Sequence, residues 1–182
     1  MSIEIPGYRP GTYVLDPAHS EVTFSVRHMM ISKVRGTFGV KEATFTAPEN
    51  PLEVAVDAKV DVTSIDTKDE NRDAHLRSAD FFDTENHPTM HFASTGARVE
   101  DGDFFVDGDL TIRGITKPVT FEFEFGGFGT DPYGNYKAGA SAKTVINRED
   151  FGLTWNAALE TGGVLVGKEI TIGLDLQGAL QA

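Results

Sequence analysis

Val119-Thr120-Phe121-Glu122-Phe123-Glu124-Phe125 alternates without a break between large apolar side chains and polar ones. Successive residues of a β-strand point to opposite faces of a sheet, so this stretch predicts a strand with one aromatic face and one wet face. The same two-residue period recurs along most of the chain. A short strand over 13–16 stops at Asp16-Pro17. A second, over 20–28, sets Val22, Phe24 and Val26 against Thr23, Ser25 and Arg27. Residues 34–46 continue with Val34, Gly36 and Phe38 and then Ala43 and Phe45, with Gly39 as a bend or bulge.

Further strands are expected over 53–62 (Val54, Val56, Ala58 and Val60 inward), 90–99, 104–112 (Phe104, Val106, Leu110 and Ile112), 136–146 (Ala138, Ala140 and Ala142) and 170–176 (Ile170, Ile172, Leu174 and Leu176). Asp101-Gly102 between two alternating runs is a hairpin signal. One segment reads as helix: Thr67-Lys68-Asp69-Glu70 fits a capping box with Thr67 as N-cap, and the helix is expected to run to about Ala79. On it, Asp73 and Arg77 are four apart and should pair on the surface.

Many antiparallel strands with one helix predict an all-β domain, either a sandwich or a closed barrel. Eight strands is about the size at which a barrel packs solid or holds one small ligand. Polar outer faces (Glu122, Glu124, Asp57, Lys59, Asp175, Gln177) favour a single layer wetted outside. With no internal repeat or linker, one domain over 12–182 is expected after an N-terminal extension over 1–11.

Bulk properties exclude several classes. The 28 acidic and 16 basic residues give a formal charge of −12, a poor match for a nucleic-acid backbone and an argument against docking on anionic lipid. There are no cysteines, so disulfides, thiol catalysis and thiolate metal sites are out. No run approaches the roughly 20 apolar residues that span a bilayer. The start, Met1 to Pro10, shows no secretory leader, so with Met1 as the true start the expected location is the cytoplasm.

Other chemistry-bearing residues give weak signals. His19, His28, His75, His87 and His91 have no spacing that demands convergence on a metal, and neither a metal nor a cofactor is expected. Gly162-Gly163-Val164-Leu165-Val166-Gly167-Lys168-Glu169 resembles a phosphate loop, but Glu169 stands where Ser or Thr would hold Mg²⁺. It reads as a glycine-rich turn entering the last strand. His19 and Ser20 are adjacent and would point apart on a strand, which disfavours a nucleophile–base pair. Asp107-Gly108-Asp109 lacks the spacing of a calcium loop. No catalytic residue is assigned.

Several segments in order carry a resemblance: Leu15-Asp16-Pro17-Ala18-His19-Ser20, Val34-Arg35-Gly36-Thr37-Phe38, Arg72-Asp73-Ala74-His75-Leu76-Arg77-Ser78-Ala79-Asp80-Phe81-Phe82-Asp83, Gly108-Asp109-Leu110-Thr111-Ile112-Arg113-Gly114-Ile115-Thr116-Lys117-Pro118-Val119 and Arg148-Glu149-Asp150-Phe151-Gly152-Leu153-Thr154-Trp155. Together they resemble the YceI-like family, the polyisoprenoid-binding protein family, from about Thr12 to Leu176. The resemblance implies a lipocalin-like, eight-stranded antiparallel β-barrel with one short α-helix. It implies an elongated apolar pocket for a polyprenyl chain, an isoprenoid quinone or another long amphiphile, and it accommodates a homodimer. Many relatives are periplasmic, and the absent leader departs from that pattern.

The inward row that would contact such a ligand is Phe24, Val26, Phe38, Val56, Phe92, Leu110, Ile112, Phe121, Phe123 and Ile172. Periodicity alone is equally met if these side chains fill each other's gaps. His28, at the end of a lining strand, is a candidate contact for a head group. Trp155 is expected to anchor the barrel end and to touch the ligand. A non-enzymatic lipid carrier without membrane insertion is the first expectation. A solid-cored structural or stress-related module, or an enzyme acting on an isoprenoid lipid, are the alternatives.

Overall fold

The computed structural model describes residues 4–29, 31–156 and 165–181. Its strands are β1 (Gly11–Leu15), β2 (Glu21–His28), β3 (Ser32–Ala47), β4 (Ala55–Asp66), β5 (Thr89–Glu100), β6 (Asp103–Ile112), β7 (Ile115–Thr130), β8 (Tyr136–Asn147) and β9 (Val166–Leu180), with one α-helix, α1 (Glu70–Arg77). Neighbours pair antiparallel from β4 through β9. Then β9 pairs with β2, β2 with β3, and β3 with β4, which closes the sheet.

The barrel has eight staves although nine strands are described. β1 pairs with β3 at Thr44–Ala47 and with β9 at Gly178–Leu180, just beyond the stretches that β2 occupies on the same two strands. β1 and β2 are therefore one stave, interrupted by a 3-10 turn at Pro17–His19. Pro17 has no N–H to give a ladder, and the Asp16 side chain accepts from the Ala18 N–H to cap the turn.

Two-residue hairpin loops set the register. Asp101 and Gly102 have φ of 51° and 85°, and Arg113 and Gly114 have 52° and 74°. Positive φ at both central residues gives the primed turn whose twist matches the flanking strands. Register shifts correct the facing elsewhere. In β3 they fall between Thr37 and Gly39 and between Val40 and Glu42, so Phe38, Val40, Ala43 and Phe45 all face inward. In β7 a shift between Phe125 and Gly127 turns Phe128 inward as well.

The helix start differs from the sequence expectation. Lys68 sits at φ 65°, a left-handed residue that detaches Thr67 from the helix. Asp69 is the N-cap instead, accepting from the Asn71 and Arg72 N–H groups at 3.0 Å. Thr67 is buried and donates through N–H (2.9 Å) and Oγ1 (2.6 Å) to Asp73 Oδ1. Arg72 donates to the Thr67 hydroxyl and carbonyl. The expected Asp73–Arg77 surface pair is absent because Asp73 is buried against Thr67, and Arg77 donates to the carbonyls of Thr63 and Ile65. The helix ends at Arg77, short of Ala79, where Ser78 turns extended and returns its N–H and Oγ–H to the His75 carbonyl.

Loss of the Asp73 carboxylate leaves the buried Thr67 N–H without an acceptor, so Asp73→Ala is expected to cost about 2–3 kcal/mol. Removing only the exposed cap, Asp69→Ala, is expected to cost about 1 kcal/mol. Urea midpoints of the two variants check this order, and equal midpoints would contradict it.

Candidate functional site

The inward rows do not fill the barrel. A cavity of about 200 Å³ runs inside it, walled by side chains from all nine strands and α1. Phe24, Val26, Phe38, Val56, Phe92, Leu110, Ile112, Phe121, Phe123 and Ile172 all stand on this wall. His28 does not; it lies half-buried at the end of β2. Trp155 also stays off the wall. Its indole packs edge-on against His75 (4.7 Å between ring centres) and tilts against Phe81 (5.3 Å), and Phe81 is the residue that reaches the cavity.

Sequence reasoning missed Phe81, Phe82, Phe128 and Arg148 as wall residues. Phe81 and Phe82 come from the turn after α1, where no two-residue period exists to reveal facing. Phe128 follows the Gly126-Gly127 break, and that glycine pair was the available signal. Arg148 carries a charge, which ordinarily marks a surface position.

How an interior with so many aromatic rings stays hollow is explained by two cross-strand glycines. Phe24 lies directly opposite Gly36, and a Cβ on Gly36 would come within 2.4 Å of its ring. Phe92, opposite Leu110, reaches diagonally over Gly108, where a Cβ would come within 2.4 Å of its ring. Each ring therefore occupies space that any side chain at the glycine would fill. Neighbouring rings then meet at ordinary aromatic separations: Phe24–Phe38 at 5.2 Å, Phe92–Phe121 at 5.2 Å and Phe104–Phe125 at 5.4 Å.

The two ends of the cavity differ. At one, Arg148 follows β8 in a 3-10 turn (Arg148–Phe151) and is only 2% exposed. Its guanidinium donates to the carbonyls of Gly167 (2.7 Å), Leu153, Trp155 (2.9 Å) and Val166 (3.3 Å), tying the turn to the start of β9. Among the described residues no carboxylate pairs with it, and burial pulls its pKa below the ordinary guanidinium value. At the other end, residues 7–9 are strapped over Phe128. Tyr136 donates its hydroxyl to the Gly7 carbonyl, Tyr8 to Pro48 (2.7 Å) and Tyr13 to Arg9 (2.8 Å). The Arg9 guanidinium lies 3.9 Å from the centre of the Tyr136 ring.

Of the remaining polar candidates only His91 borders the cavity, and its imidazole is engaged outside it by Asp57. His91 bonds Asp57 (3.1 Å), His19 bonds Asp16 (2.7 Å) and His75 bonds Asp80 (2.9 Å). Ser20 exchanges hydrogen bonds with the Gln177 backbone and does not meet His19. Arg98 and Thr120 donate to Asp107 and hold its carboxyl below the usual range. Among the described residues no three His, Asp or Glu side chains converge as a metal site. Of the glycine-rich loop, residues 162–164 lie outside the described residues, and β9 begins at Val166 as a strand.

The motifs, the closed barrel and its cavity agree with a match of residues 13–178 to the YceI-like domain. The chain belongs to the YceI-like domain family. A UPF0312 protein of Staphylococcus epidermidis is 41% identical over 157 residues, covering 85% of this chain and 90% of the relative. Burkholderia cenocepacia BcnA shares the fold with a TM-score of 0.76 at 22% identity, covering 90% of this chain and 98% of BcnA. A polyisoprenoid binding domain from Saccharophagus degradans, implicated in plant cell wall breakdown, shares it with a TM-score of 0.69 at 13% identity, covering 95% of this chain and all of that domain.

Two outcomes follow from this geometry. Gly36→Ala forces the Phe24 ring off the wall and is expected to cost about 1–3 kcal/mol. Gly96→Ala, where a Cβ meets nothing within 4 Å, should fall within about 0.5 kcal/mol of the parent protein. Thermal unfolding separates them. Tyr8 is pushed up to about 12 by burial. Because the folded state favours the protonated phenol, the strap's stabilisation is complete below the ordinary phenol pKa of about 10 and is lost as pH rises through about 12. An ultraviolet titration should show a late tyrosinate step that Tyr8→Phe removes.

Proposed function

We propose that this YceI-like protein is a non-enzymatic carrier that holds one long-chain isoprenoid, as a polyprenyl or isoprenoid-quinone tail, or a similar amphiphilic lipid inside its barrel. The observation that carries this reading is the hollow, hydrocarbon-walled cavity along the barrel. A lipid tail has no directional handle, so its site needs apolar area more than polar groups. Each Å² of tail removed from water contributes roughly 25 cal/mol, and a long chain therefore binds tightly without one hydrogen bond.

Two further points support the reading. The Saccharophagus degradans neighbour is named for polyisoprenoid binding. Among the described residues no Asp or Glu stands on the cavity wall, so the acid–base pair that lipid chemistry would require has no carboxylate to supply it. Arg148 also borders the cavity, but its guanidinium is committed to four backbone carbonyls, so the wall offers a tail mainly hydrocarbon.

The test is organic extraction of the purified protein followed by mass spectrometry, with the native mass of the intact protein measured alongside. A stoichiometric long-chain isoprenoid or acyl species is expected. Phe121→Asp and Ile172→Asp should lose it, because each buries an unpaired charge in the wall, and Ala140→Leu should reduce it by bulk alone. A lipid-free protein that gains no mass when offered quinones and polyprenols would overturn the carrier reading.

A further inference from the structure

We infer that the β2–β3 hairpin is a docking surface for an anionic lipid bilayer. The inference deepens the carrier reading, on which its biological purpose rests, but its physical basis is separate. Two large apolar side chains stand in solvent at the hairpin tip: Ile31 is 80% exposed and Met29 42%. Met29 is anchored to the barrel, since its N–H donates to the Leu165 carbonyl at 2.7 Å. Ile31 is tied back as well, its N–H donating to the His28 carbonyl at 3.3 Å, so both exposed side chains stand on hydrogen-bonded backbone.

Behind the tip lies a basic collar. Arg27 stands directly opposite Lys33 across the ladder, and Arg35 stands opposite Ser25. These positions alternate with Val26, which faces the cavity, and with its cross-strand partner Val34, so all three cations share the outer face. Like charges placed directly opposite one another on a sheet repel. Lys59, Arg98, Lys137, Lys143 and Lys168 each meet a carboxylate, whereas other cations such as Lys68 and Lys117 stand singly; the collar differs in placing unpaired cations directly across a ladder. Among the described residues, Arg27, Lys33 and Arg35 meet no carboxylate within ion-pair distance. The nearest acids along the chain are Glu21 and Glu42; nothing between them is acidic, and Lys41 adds a fourth positive charge. On the neighbouring strands, Glu169 of β9 and Asp66 of β4 form no ion pair with the three.

An apolar tip above a cationic collar fits one surface best. The bilayer interface takes apolar side chains at the acyl boundary and cations at the phosphate layer. An acidic protein or a nucleic acid would use the collar and leave Ile31 in water. The formal charge of −12 opposes such docking for the molecule as a whole, but the local potential decides the contact. The strands that carry the tip also line the cavity: Val26 faces it beside Ile170, and Val166, opposite His28, faces it at the same end. Docking would bring this end of the cavity to the membrane.

The test is sedimentation of the full-length protein with vesicles of phosphatidylcholine alone or with about a third phosphatidylglycerol. Binding to the phosphatidylglycerol vesicles only, weakening at high salt, is expected. The triple variant Arg27→Gln/Lys33→Gln/Arg35→Gln should partition on the order of 100-fold more weakly, from about a fivefold loss per basic residue. Ile31→Ser should weaken binding without changing its salt dependence. Equal binding to both vesicle types, no binding, or a triple variant that binds like the parent would overturn docking. Extraction of the same samples keeps the two readings apart: a folded triple variant still loaded with lipid but unable to dock supports docking, whereas a parent protein that docks but carries no lipid defeats the carrier reading alone.

Discussion

The ladder between β3 and β4, running from Thr46 opposite Ala55 to Thr37 opposite Asp66, closes the sheet on itself. With that pairing both edges vanish, and every strand gives one face to a shared interior and one to water. The closure needs the register corrections in β3. Without the extra β3 residue between Val40 and Glu42, a strand of that length would carry Phe45 to the outer face while Phe38 stayed within. The same logic divides one stave into β1 and β2, because Asp16-Pro17 cannot continue a ladder.

Closure by itself would permit a solid core. The hollow depends on where the aromatic side chains rest. Phe24 sits over Gly36 and Phe92 over Gly108, in space a side chain there would take, and β8 contributes the small residues Ala138 and Ala140 to the wall. The interior thus combines large apolar area with unfilled space. Such space lacks atoms on one side of every wall contact, a loss of dispersion that an apolar occupant restores. A lipid tail in the barrel would therefore act on both stability and function.

The ends of the barrel are finished by polar devices of different kinds. Arg148 gathers four backbone carbonyls where the chain leaves β8 and re-enters at β9, and its burial is tolerable because four of its five N–H donors find those acceptors. At the far end, three tyrosine hydroxyls hold residues 7–9 over Phe128. Asp73 performs a comparable service beneath α1 by satisfying Thr67. The β2–β3 tip is the exception among these ends, since its apolar side chains and cations are left unsatisfied by the fold itself.

The alternation of residue types determined the strands, their inward faces and the hairpin at Asp101-Gly102, because facing and turn chemistry are local properties of the backbone. That is why ten wall residues were legible, Phe121 and Phe123 above all. The recurring motifs identified the family, and with it a barrel in place of a sandwich. Other features were decided only in three dimensions. Thr67 and Asp69 both fit an N-cap by composition, and the left-handed turn at Lys68 chose between them. Asp73 sits at helical spacing from Arg77, yet burial gave it to Thr67. Trp155 and His28 sit near wall residues in sequence, but depth is not encoded by period, and both fall outside the cavity. The volume of that cavity and the burial of a charged Arg148 depend on contacts between residues far apart in the chain, which no local pattern records.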